Sequence, residues 1–88
     1  KELGFKKLWE KPTRISMHMV MYSDTREIAV NDFRTGYDNI VVFDTITGEE
    51  KGRVPTESTT ANGMFLSPGW ERDVFYCSIG AIARAFIE

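Results

Sequence analysis

The chain has 88 residues, 42% hydrophobic and 27% charged, which fits one small globular domain and excludes a disordered chain. Its formal net charge of -2 argues against nucleic acid as a partner, since a phosphate backbone selects a basic face, and no apolar run approaches the roughly 20 residues of a membrane helix. Cys77 is the only cysteine, which excludes an internal disulfide and any cysteine-cluster metal site.

The chain opens at Lys1 rather than at a methionine, as expected of a processed product or a fragment. Residues 5–10 are expected to be a strand ending before Pro12, which lacks an N–H and biases Lys11 toward extended geometry. Phe5, Leu8 and Trp9 also have the i, i+3, i+4 spacing of a helical stripe; the strand is preferred because it fits the repeat below. Residues 15–22 read as an interior strand. Ile15, Met17, Met19 and Met21 fall on one face, and Ser16, His18, Val20 and Tyr22 on the other. Residues 23–26 make a turn, 27–33 a strand, and 34–39 a loop centred on Gly36.

Ile40 to Phe43 is an apolar, β-branched and aromatic run, the composition of a strand covered on both faces. A turn follows at Asp44-Thr-Ile-Thr-Gly48. The Asp44 carboxylate can accept from amides two or three residues on, and Gly48 can take the positive φ that closes a hairpin. Residues 49–54 are then a polar edge strand. A Ser/Thr-rich connection over 55–63 leads to a short strand at 64–67, stopped by Pro68-Gly69. Residues 73–78 and 81–87 form the last hairpin, turned at Gly80.

The pattern repeats. Met19-Val-Met-Tyr answers Met64-Phe-Leu-Ser, Glu27-Ile-Ala-Val answers Asp73-Val-Phe-Tyr, Ile40 to Asp44 answers Ile82 to Phe86, and Lys7 to Pro12 answers Lys51 to Pro55. The offsets are about 42 to 46 residues, the period of four-stranded propeller blades. The run Ile40-Val-Val-Phe-Asp-Thr-Ile-Thr-Gly48 resembles the hairpin of YVTN-type and quinoprotein-type β-propellers, relatives of the WD-repeat superfamily. The resemblance implies an all-β fold of antiparallel four-stranded blades around a channel, with a rim of loops. The chain is then a partial propeller spanning 1–88: an outer strand of a preceding blade over 1–11, a blade over 13–56, and a last blade over 60–88 without its outer strand. Two open blades leave apolar faces and bare strand edges in water, so the rest of the ring must come from further residues, another chain or self-association.

Candidate site residues are few. Asp32, Arg34, Tyr37 and Asp38 flank or occupy the long loop after the second blade strand, where a rigid scaffold carries binding groups. Trp70 follows a Pro-Gly turn and is either an exposed binding aromatic or a packing residue. His18 is a channel-facing candidate, but as the only histidine it has no second imidazole for a metal pair. The Met17, Met19 and Met21 row suits core filling better than a soft-metal site. Cys77 reads as an inert thiol, and most of the aspartates as turn residues. No cofactor or metal is expected. The favoured function is a non-catalytic scaffold that binds a protein or small molecule. The alternatives are a segment of a propeller enzyme or cofactor binder, and a self-standing small β-barrel.

Overall fold

The structure is a computed structural model that describes residues 4–13, 18–33, 39–56, 65–78 and 81–87. The fold is all-β. Its strands are β1 (Met19–Tyr22), β2 (Glu27–Asp32), β3 (Asn39–Asp44), β4 (Glu50–Pro55), β5 (Phe65–Pro68), β6 (Asp73–Ser78) and β7 (Ala81–Phe86). Sequence neighbours pair antiparallel, giving one sheet in the order β1-β2-β3-β4 and another in the order β5-β6-β7. Among the described residues the two sheets share no strand and stack face to face.

Each hairpin follows from local chemistry. Between β3 and β4, Asp44 Oδ1 accepts from the amides of Ile46 at 2.8 Å and Thr47 at 3.0 Å. The Gly48 amide donates to the Asp44 carbonyl at 2.9 Å, and Gly48 has φ 76°, open to glycine without strain. Across the preceding turn, Arg26 holds a positive φ of 59°. Its carbonyl accepts from both the amide and the hydroxyl of Thr45, which ties the two turns together.

The core lies between the sheets. Val20, Tyr22, Ala29, Ile40 and Val42 of the first sheet pack on Val74 of the second, with Leu66, Tyr76, Ala85 and Ile87 at the margin. Burying each large aliphatic side chain contributes about 1.5–3 kcal/mol, which makes this layer the main source of stability. The Tyr22 hydroxyl donates to the Asp73 carbonyl at 2.6 Å and pins the sheets together inside that layer. Val41 and Phe43 point the other way and are buried too, so β3 is covered on both faces, as its composition indicates.

Two expectations change. The strand expected over 5–10 is not formed: residues 4–13 carry no regular secondary structure and belong to neither sheet. A strand exists only beside a partner, and Trp9 holds this segment by a ring contact instead. The methionine row does not fill a core. Met19 and Met21 are 69% and 65% exposed, because the second sheet covers the opposite face of β1; Met17 lies outside the described residues.

Candidate functional site

Between the sheets a groove of about 610 Å³ opens along β4 and β7. Its walls include Ile40, Val42 and Val54 on one side and Val74, Ala85 and Ile87 on the other. Arg53 also lines it, and a cluster of three charged side chains stands at the Glu27 end. Glu27, at the start of β2, is almost fully buried and receives Arg72 Nη2 at 2.6 Å and Lys51 Nζ at 3.0 Å.

A β-bulge makes this cluster possible. The β3–β4 register shifts between Val42 and Phe43, so Val42 faces Gly52 while Phe43 faces Glu50. Lys51 is the extra residue, and the bulge turns it toward Glu27, across the alternation that would otherwise send it to the far face. Burial alone would push the Glu27 carboxyl up. Hydrogen bonds from Lys51, Arg72 and Thr25 outweigh it and hold the group below its ordinary value of 4.5. Arg72 Nε is buried without a hydrogen-bond partner among the described residues. The groove thus combines apolar walls with an ion-paired cluster of Glu27, Lys51 and Arg72 at one end.

Of the expected site residues, Asp32, His18 and Trp70 are described, and Trp70 stands apart from the other two. Asp32 ends β2 fully buried, with Arg53 Nη1 3.3 Å from its carboxylate. His18 is half-buried, its backbone amide donating to Oδ1 of Asn31, the residue before Asp32, at 3.3 Å. Arg34, Tyr37 and Asp38 lie outside the described residues. Trp70 is 83% exposed, with its ring edge-on to Phe75 at 5.6 Å between centroids and the Arg84 guanidinium 5.7 Å from its centre. Trp70 sits two residues from Arg72, at the Glu27 end of β2. Asp32 is at the other end of that strand, roughly 17 Å away at the rise of an extended chain. Trp70 and Asp32 therefore belong to opposite ends of the sheet stack.

Two features escaped the sequence reading. One is the Glu27–Arg72 pair, 45 residues apart, which joins Glu27 to the residue before its repeat counterpart Asp73. The repeated pairs Arg26-Glu27 and Arg72-Asp73 were the available signal. The other is Trp9, whose Nε1 donates to the Thr45 carbonyl at 2.9 Å and whose ring lies 6.3 Å from Phe43. A Cβ added to Gly48 would come within 2.6 Å of that ring, so the glycine serves both turn and tryptophan.

Among the described residues, no group of three or more His, Cys, Asp or Glu is placed to hold a metal ion. Comparisons with protein-family models, with curated proteins and with solved structures return no match.

Proposed function

We propose that the chain is a two-blade segment of a β-propeller and acts as a binding scaffold, not as a catalyst. The observation that carries this reading is the edge of β7, which pairs only with β6 among the described strands and runs beside the groove. The first sheet has four strands in a simple meander; the second has the first three of the same meander. The repeat offset near 45 residues and the face-to-face stacking agree with successive blades. Binding then uses two physical terms. Main-chain hydrogen bonds to β7 supply affinity, and the apolar walls with the Lys51–Arg72 end select the side chains of the incoming segment.

A tandem polypeptide of three copies tests the architecture. It would carry about six blades, inside the range of known rings. The expected product is a protease-resistant monomer whose electron-microscopic projections show a ring with a central channel. Independently melting units strung along the chain would overturn the reading.

A further inference from the structure

The two ends of the stack are unlike, and the internal interface says how they fit. In the repeat register Glu27 matches Asp73, so Ala29 matches Phe75, while Ile28 and Val30 match Val74 and Tyr76. Ala29 lies on the inner face of the first sheet, and Val74 and Tyr76 lie on the inner face of the second. Strand alternation sends Phe75, Cys77 and Ile82 to the outer face of the second sheet, and Met19, Met21, Ile28 and Val30 to the outer face of the first. The outer face of the second sheet therefore repeats the inner face of the first, and the outer face of the first repeats the inner face of the second. Ile82, at 77% exposed, and the two exposed methionines stand at these opposite ends.

Residues 4–13 fit the same scheme. Lys7 to Pro12 aligns with Lys51 to Pro55 of β4, yet the segment belongs to neither sheet. Trp9 lays it over Phe43, on the outer face of the first sheet. β4 stands in the equivalent place relative to the second sheet, beside Val74 and Ala85 across the groove. Phe5 and Leu8, 96% and 73% exposed, are left without cover in a single copy.

We propose that the partner is a second copy of this chain, joined head to tail. The outer face of the second sheet of one copy packs on the outer face of the first sheet of the next. Residues 4–13 of the next copy add to β7 as the missing fourth strand. This proposal rests on the propeller reading above and names its partner. Such an interface is heterologous, so repetition closes a ring or propagates a filament.

The test uses the 88-residue chain and light scattering over about 1–100 µM, since association follows mass action. Wild type is expected as an assembly of more than two copies. Met21→Glu blocks the head and Ile82→Glu blocks the tail. Both positions are exposed, so the strands should fold, with unchanged far-ultraviolet circular dichroism. Each variant alone is expected as a monomer, its association weakened by about a hundredfold or more. An equimolar mixture is expected to give a one-to-one dimer, because one intact head and one intact tail remain. Phe5→Asp with Leu8→Asp, and Phe86→Glu, replace these variants if either misfolds. A monomeric wild type, a closed dimer of wild type, or a mixture of variants that stays monomeric would overturn the proposal. If the three-copy tandem closes while separate chains stay monomeric, the propeller reading stands and self-assembly alone fails.

Discussion

Gly48 shows how one residue carries two constraints. Its φ of 76° favours glycine, and the Trp9 ring occupies the space a side chain would need. Gly48→Ala is expected to lose about 1–2 kcal/mol from backbone strain alone, and more if the ring is displaced; chemical denaturation with tryptophan fluorescence reads both effects. Glu27 is the electrostatic counterpart. Glu27→Ala leaves Arg72 and Lys51 facing each other at the end of the groove. A loss of about 1–3 kcal/mol is expected in urea melts, because the partners are part-exposed and water recovers some of their solvation. Glu27→Gln should cost less, since it keeps an acceptor. Asp32 belongs with these structural charges: its ion pair with Arg53 spends its carboxylate on the fold.

Among the elements, the β3–β4 hairpin and residues 4–13 differ in what holds them. The hairpin is held by its own ladder, by the Asp44 side chain and by the tie from Thr45 to Arg26. Residues 4–13 rest on Trp9. Trp9→Ala is expected to free this segment and to cost about 1–3 kcal/mol, less than for a fully buried tryptophan. Trypsin should then cut at Lys6 and Lys7 sooner than in wild type, while the sheets persist. Equal cutting rates in the two proteins would mean that the ring contact does not hold the segment. The Met face of β1 makes the same point: alternation placed the side chains, and the position of the neighbouring sheet decided which face was covered.

For the whole molecule, the radius of gyration is 13.8 Å, against about 12 Å for a compact domain of this length. The accessible surface of 6286 Å² also exceeds the roughly 5300 Å² typical of this mass. An open stack has this signature, and its stability should respond to pH through the β3–β4 turn and the groups at the sheet junction. Backbone amides of Thr47 and Ile46 hold Asp44 below its ordinary value. The Glu71 amide, followed by Arg84, does so for Asp73 against its burial. With Glu27 also lowered, the unfolded chain binds protons first as pH falls. The contribution of these carboxylates is complete above about pH 5 and is lost as pH drops through their lowered values. Tyr22 is shifted up, first by burial and then by Asp73. The unfolded phenol ionises first near 10, so stability falls as pH rises beyond that point. Thermal melts from pH 2 to pH 11 should therefore show a plateau bounded on both sides; melting temperatures that stay level below pH 4 would contradict the assigned carboxylate contacts.

The sequence by itself determined the all-β class, strand order, alternation and turn chemistry. Ile40 to Phe43, Asp44 and Gly48 act through neighbours a few residues away, and those interactions are written in the local order of residues. The tertiary structure alone decided that Met19 and Met21 stay exposed, that residues 4–13 are not a strand, and that Glu27 meets Arg72 and Lys51. Each of these depends on which face of a sheet receives a neighbour, and that choice is set by long-range packing between segments some 45 residues apart.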